Sequence, residues 1–282
     1  MGSFLSQPIT QKYHEYQFSG NLSCYTTAMQ GWRLQMEDAH LMKPNFIENI
    51  SLFAVFDGHG GSGISQFLAE NFMNVLISQP AFEKMDFMQS LHDTFLQLDD
   101  MIKNNEIKNT FIGSTAVVAL IADKMLYVAN LGDSRCLLMR DDETIELTKD
   151  HLPSNELARI RYAGGFVDEQ GRLNGTLSVS RAFGDFEFKQ EPLPANQQMV
   201  IAEPEIRKIK LNKDDRFLFL GCDGVFETQN SYKVMEFISA HVAEKQEPSI
   251  VLEQLLDTSL AADTSTGYGC DNMTAMLILL NQ

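Results

Sequence analysis

An apolar run, Leu52-Phe53-Ala54-Val55-Phe56, passes without a linker into Asp57-Gly58-His59-Gly60-Gly61. A short continuous apolar run bounded by turn residues reads as a buried strand, so this one delivers a carboxylate straight to a sheet edge. The glycines let backbone carbonyls and a helix start crowd close to that carboxylate. A turn made only of turn-forming residues accounts for the Gly and the Asp but not for the His. The arrangement has the shape of a metal site, and any fold of this chain must bring a strand end, a tight turn and a helix start to that point.

The pattern recurs far downstream. Phe217-Leu218-Phe219-Leu220-Gly221-Cys222 runs into Asp223-Gly224, and Gly267-Tyr268-Gly269-Cys270 leads into Asp271-Asn272, after which Met273 to Leu280 reads as an apolar strand. Upstream, Arg33-Leu34-Gln35-Met36-Glu37-Asp38 supplies a cation and two carboxylates, with Arg33 and Glu37 on one face if the segment is extended. Aspartates converging from separate strand ends suit a hard divalent cation, Mg2+ or Mn2+, whereas zinc calls for His and Cys ligands. The chemistry implied is hydrolysis.

The ordered set Arg33-x-x-x-Glu37-Asp38, Asp57-Gly-His-Gly-Gly61, Gly132-Asp133-Ser134-Arg135, Ala163-Gly164-Gly165, Asn174-Gly175, Ser180-Arg181-Ala182-Phe183-Gly184-Asp185, Asp223-Gly224 and Asp271-Asn272-Met273-Thr274 resembles the metal-dependent protein phosphatases of type 2C. Each motif alone is weak; the ordered set is specific, and the resemblance spans roughly residues 24 to 280. The resemblance implies an α+β fold, a four-layer α/β/β/α sandwich with metals at one edge between the sheets and a flap over about 165–204. It implies hydrolysis of phosphoserine and phosphothreonine in proteins by a metal-activated water at a binuclear Mg or Mn centre. Asp57 would bridge both ions, Asp223 and Asp271 would complete one coordination sphere, and the Gly58 carbonyl would serve the other. Glu37 and Asp38 would act mostly through bound waters, and Asp133 with Asp223 would hold a weaker third metal. The chain departs from the commonest pattern at Asp223-Gly224-Val225-Phe226-Glu227, which ends in Glu where many members have Asp, and a longer carboxylate would shift or weaken that third site.

Arg33 suits bidentate binding of phosphate oxygens through its planar fork. His59 is the residue beside the metals whose intrinsic pKa lets it protonate a leaving alkoxide near neutrality; the alternative is a structural hydrogen bond within the turn. A binding module built on an inactive phosphatase would be missing ligands, and none is missing here.

At 282 residues and 44% hydrophobic, the chain can bury a large core. No Pro/Gly/Ser-rich spacer, charge block or repeat divides it, so residues 21–282 are expected to form one catalytic domain behind an N-terminal segment, 1–20. Apolar runs fall short of a membrane span and no secretory signal opens the chain, so a cytoplasmic monomer is expected. Cys24, Cys136, Cys222 and Cys270 show no CxxC spacing and read as core residues of a reducing compartment. A net charge of -16 argues against nucleic-acid partners and leaves phosphorylated proteins as the expected ones. The basic cluster Arg207 to Lys213 reads as a solvated edge strand, with a substrate-docking strip as the alternative. Met1-Gly2-Ser3-Phe4-Leu5-Ser6 fits the N-myristoylation pattern, although Met-Gly-Ser is also a common vector scar. With no second membrane signal, only weak, reversible membrane association through Gly2 is expected.

Helical spacing appears at Ile64 to Leu76, at Met88 to Ile102, at 231–244 and at 248–262, with a shorter helix at 154–163 closed by Gly164-Gly165. Strands at Ser114 to Ala122, Met125 to Asn130, Cys136 to Arg140 and Glu143 to Leu147 read as an antiparallel meander. Between Gly165 and Pro204 periodicity is poor, which marks either the flap or a surface loop of no consequence.

Overall fold

A computed structural model describes residues 4–105, 111–189 and 192–280. Gly2 of the acylation motif lies outside the described residues. In chain order the elements are β1 (Phe4–Ser19), β2 (Leu22–Arg33), β3 (Ala39–Ile47), β4 (Ile50–Phe56), β5 (Gly58–His59), α1 (Gly63–Ser78), α2 (Pro80–Glu83) and α3 (Phe87–Lys103). There follow β6 (Gly113–Ser114), β7 (Ala116–Ala122), β8 (Met125–Leu131), β9 (Arg135–Arg140), β10 (Glu143–Glu146), α4 (Leu157–Tyr162) and β11 (Phe183–Gly184). The chain continues through β12 (Glu205–Lys210), β13 (Asp215–Gly221), α5 (Asp223–Phe226), α6 (Ser231–Ala243), α7 (Pro248–Ser259) and β14 (Met273–Leu280).

A six-stranded sheet, ordered β1-β2-β14-β13-β9-β10, faces a five-stranded sheet, ordered β12-β8-β7-β4-β3. All their pairings are antiparallel. Side-chain alternation divides the second sheet between two cores. Phe53, Val55, Val117, Ala119, Ile121 and Val128 pack with the first sheet and with α6 and α7 in one cluster. Their neighbours Leu52, Ala54, Phe56, Val118, Leu120 and Ala129 pack under α1 and α3 in another. Strands buried on both faces read as uninterrupted apolar runs, which is why β4 and β7 carry no alternation of hydrophobicity. The four-layer α/β/β/α sandwich is therefore present as expected.

The N-terminal segment is not separate from this architecture. Residues 4–19 form the outermost strand of the six-stranded sheet, pairing from Phe4 opposite Arg33 to Ser19 opposite Leu22, so the boundary drawn at residue 20 falls inside a hairpin. As an edge strand β1 is solvated over much of its length, with Tyr13, Tyr16 and Phe18 each more than 60% exposed. The expected strand at Ser114 to Ala122 breaks at Thr115: Gly113–Ser114 joins a small sheet ordered β11-β6-β5, and β7 starts at Ala116. The flap region is more than a loop. Leu173, Val179, Ala182, Phe188 and Val200 bury a third apolar cluster with Ile160 of α4. Among the described residues no helix is long and apolar enough to cross a membrane.

Candidate metal centre and active site

The strands that end in carboxylates all end at one edge of the sandwich, and they come from both sheets. Asp57 follows β4 of the five-stranded sheet, and Glu37 and Asp38 precede β3 beside it. Asp223 follows β13 as the first residue of α5, and Asp271 precedes β14, both in the six-stranded sheet. Asp133 sits in the turn from β8 to β9, close enough to Asp223 for their charges to interact. Because β13 and β14 are antiparallel neighbours, the end of one and the start of the other lie side by side. Sheet pairing thus gathers residues more than 200 positions apart.

Ligand atoms of Asp38, Asp57 and Cys222 all lie within 4.8 Å of one another. The carboxyls of Asp57 and Asp223 hydrogen-bond each other, and Asp38 Oδ2 accepts from Thr274 Oγ1 at 2.7 Å. Burial raises the pKa of each acid, and the neighbouring acids push in the same direction. Asp38 rises to about 7 and Asp223 to about 6, while Asp57 and Asp133 are driven well above the carboxylate range and Glu37 is also raised. Such a cluster holds protons in place of a countercharge. A divalent cation among these oxygens removes the repulsion, so the donor set fits Mg2+ or Mn2+. Cys222 is within ligand reach but is otherwise employed. Its sulfur accepts from Thr274 N at 3.1 Å and donates to Asn272 O at 3.5 Å, and burial with the adjacent carboxylates keeps the thiol protonated. A protonated thiol is a poor ligand, which agrees with its reading as a core residue.

The segment between β2 and β3 is fixed from three sides. Asn272 Oδ1 accepts from Glu37 N at 2.8 Å, and Asn272 Nδ2 donates to Gln30 O and Gln35 O at 2.7 and 3.0 Å. Ser65, at the start of α1, donates from its hydroxyl to Glu37 O. Gly58 lies against this segment so closely that a Cβ there would stand 2.4 Å from Glu37 O, so only glycine offers a carbonyl at this point. Arg33, at the end of β2, contacts Asp271 through Nη2. Its Nε is buried with no hydrogen-bond partner among the described residues. Burial of that kind is costly unless something accepts from it.

His59 reaches a partner that sequence reasoning left without a role. Its Nε2 lies 2.9 and 2.8 Å from the two carboxylate oxygens of Asp185, whose side chain is 3% exposed. Burial disfavours the imidazolium, but the Asp185 charge and hydrogen bond outweigh it and raise the His59 pKa. Gly113 makes room for the pair, since a Cβ there would stand 2.3 Å from both His59 Nε2 and Asp185 Oδ2. Asp185 belonged to the Ser180-to-Asp185 motif, but 126 residues separate it from His59, so only the fold reveals the contact. Asn272 and Ser65 were likewise invisible as clamps, because both act on backbone. Glu227 is not turned into the carboxylate cluster as a bare ligand: it accepts from Gly269 N and Cys270 N at 2.6 and 3.3 Å. Burial first, then Asp223 and Asp271, push its pKa up to about 7.

Known proteins resemble this chain along nearly its whole length. The family model described as Protein phosphatase 2C matches residues 23–267. Probable protein phosphatase 2C 2 of Paramecium tetraurelia is 41% identical over 301 aligned residues covering all of both chains. Probable protein phosphatase 2C 21 of Arabidopsis thaliana is 37% identical, covering 99% of this chain and 92% of that protein. The crystal structure of a phosphatase from a pathogenic strain of Toxoplasma gondii superposes with a TM-score of 0.81 at 27% identity, covering 96% of each chain. The carboxylate edge, the sandwich that assembles it and these likenesses agree, and the chain belongs to the protein phosphatase 2C family.

Proposed function

We propose that the protein hydrolyses phosphoserine and phosphothreonine in protein substrates, with two Mg2+ or Mn2+ ions held by Asp57, Asp223, Asp271 and the Gly58 carbonyl. Glu37 and Asp38 orient that set through water, and Asp133 stands beside it. The observation that carries this reading is the meeting of carboxylates from both sheets at one edge, with pKa values that stay raised although Arg33 contacts Asp271. When bound, the ions supply Lewis-acid activation of the attacking water.

The chain's own residues account for the rest. Arg33 offers its unpartnered Nε to a phosphate oxygen, a charge-assisted hydrogen bond that fixes the substrate. His59 carries a proton on the imidazole that Asp185 favours and gives it to the departing oxygen. That step matters most for serine and threonine esters, whose alkoxides are poor leaving groups. The buried Asp185 holds the ring in place from behind. We also place the protein in the cytoplasm with weak, reversible membrane binding through an acylated Gly2, on the support of the Met1-to-Ser6 pattern.

Chelated protein is expected to be inactive toward a phosphoserine peptide and to recover with Mg2+ or Mn2+. His59→Gln should slow the peptide by about 10²- to 10⁴-fold while leaving p-nitrophenyl phosphate far less affected. Turnover of p-nitrophenyl phosphate with no action on any phosphopeptide would replace the proposal with a different metallohydrolase. Equal losses on both substrates would make His59 structural.

A further inference from the structure

We infer that Glu227 is a positioning residue whose carboxylate clamps the exit of the loop carrying Asp271, and that it does so instead of completing a third metal site beside Asp133. The effect on metal affinity rests on the two-metal reading above; the clamp itself does not.

The connection from α7 to β14 runs over residues 260–272 without helix or strand, long enough that its end must be tied down if Asp271 is to be held to a ligand's tolerance. Within the loop, Ser265 N donates to Asp263 Oδ1 and Tyr268 N to Thr266 Oγ1. Its entry is anchored where Trp32 Nε1 donates to Ala261 O at 3.0 Å, and its two ends are closed by Ala261 N to Gly269 O at 2.8 Å. At the exit, the two amides immediately before Asp271 both donate to one oxygen of Glu227, Gly269 N at 2.6 Å and Cys270 N at 3.3 Å. The contact closes over 42 and 43 residues of sequence. It is tight, since a Cβ on Gly269 would stand 2.7 Å from Ser259 O and 2.8 Å from Thr228 Cγ2. Glu227 follows α5, which begins with Asp223, so the clamp ties the two carboxylates of the six-stranded sheet to one another.

The side chain's length decides the role. An Asp at this position would be shorter by one carbon, about 1.5 Å, and an oxygen now 2.6 Å from Gly269 N would no longer reach it. A metal ligand and an amide acceptor also differ in what they tolerate. Gln keeps an acceptor oxygen of the same reach but carries no charge; Asp keeps the charge but loses the reach.

The experiment compares Glu227→Gln, Glu227→Asp and Glu227→Ala with the wild type. Amide hydrogen exchange at Gly269 and Cys270 is measured in the metal-free proteins, and Mg2+ and Mn2+ binding by calorimetry. Glu227→Gln should keep amide protection and metal affinity within about threefold of wild type. Glu227→Asp and Glu227→Ala should lose protection at these amides and weaken the tight metals by about 10- to 100-fold, the usual effect of removing a group that orients a ligand. An extra metal bound by Glu227→Asp with protection intact, or a Glu227→Gln protein as impaired as Glu227→Ala, would overturn the inference and restore Glu227 to the third site. A wild type that bound no metal would sink the binuclear reading separately, while amide protection still judged the clamp.

Discussion

At the metal edge burial drives Asp38 up to about 7 and Asp223 up to about 6. At the base of the flap Glu156 is half-buried, and hydrogen bonds from Arg181 and Ser180 and the charges of Arg159 and Arg181 hold it down at about 2. The difference lies in where the countercharge comes from. Glu156 Oε1 accepts from Arg181 Nε at 2.9 Å, and Oε2 accepts from Ser180 Oγ at 2.7 Å. Arg159 also donates to Met199 O and Ser180 O at 2.7 and 2.9 Å. This cluster is complete within the chain and pins the flap to α4. The aspartate cluster is only partly neutralised by Arg33, and on the proposed reading a bound ion supplies the remainder. The two groups of acids thus differ in internal neutralisation as well as in burial.

The strongest way to break the comparison is to remove charge from the incomplete cluster. Changing a partner that merely orients a ligand costs about 10- to 100-fold, so Asp57→Asn or Asp223→Asn should lower phosphopeptide turnover by more than that with the fold intact by circular dichroism. Well-folded Asp57→Asn with full activity would refute a metal-bridging role. In the complete cluster, Glu156→Gln leaves two arginines facing each other without their carboxylate. It should cost roughly 3 kcal/mol of stability, read as a lowered denaturation midpoint, with metal affinity unchanged.

Acid and base should then pull the clusters apart. In the metal-free protein Asp38 and Asp223 retain protons that the unfolded chain releases above pH 4 or so, so their contribution to stability is lost as pH rises from about 4 through about 7. Saturating Mg2+ should flatten that arm. Glu156 behaves oppositely: its contribution is present above about pH 4.5 and is lost as pH falls toward about 2. His151, whose carbonyl accepts from Ser180 N at 2.8 Å, adds to the acid arm, because burial and Arg181 hold it down at about 4 and the unfolded chain takes up its proton from about pH 6.5 downward. Thermal denaturation across pH with and without Mg2+ tests both arms; a metal-insensitive basic arm would contradict the assignment of the raised acids to the metal site.

The clustering of Asp57, Asp223 and Asp271 at strand ends was legible because each ends or begins an apolar run, and a one-dimensional pattern is enough to place a residue at a strand end. The flap's cluster was not. Glu156 meets Arg181 across 25 residues of poor periodicity, and nothing local marks either as buried. Strand β1 was missed for a different reason: as the outermost strand it exposes Tyr13, Tyr16 and Phe18 and so lacks the apolar alternation by which strands are read. The roles of Asp185 and Glu227 depended on partners 126 and 42 residues away, which the resemblance could name as motif positions but not pair.

The smallest expected effect concerns Gly2. Gly2→Ala should leave phosphopeptide turnover unchanged and remove only a minor membrane-bound fraction on cell fractionation, since one acyl chain binds bilayers with K around 10⁴ M⁻¹. Intact mass spectrometry showing unmodified Gly2, or retained Met1, in protein from its native cell would exclude the anchor.

The direction of β1 has a practical side. Phe4 pairs with Arg33 at the metal edge, whereas Leu280 pairs with Leu22 at the other end of the same sheet. With strands rising about 3.3 Å per residue, the two attachment points are separated by most of the sandwich's length. Protein tethered to a bead or sensor chip ahead of Phe4 would turn its catalytic mouth toward the support and shield it from large phosphoproteins. The same protein tethered after Leu280 would present that mouth to solution, so immobilised assays at the two ends should agree for p-nitrophenyl phosphate and diverge as the substrate grows.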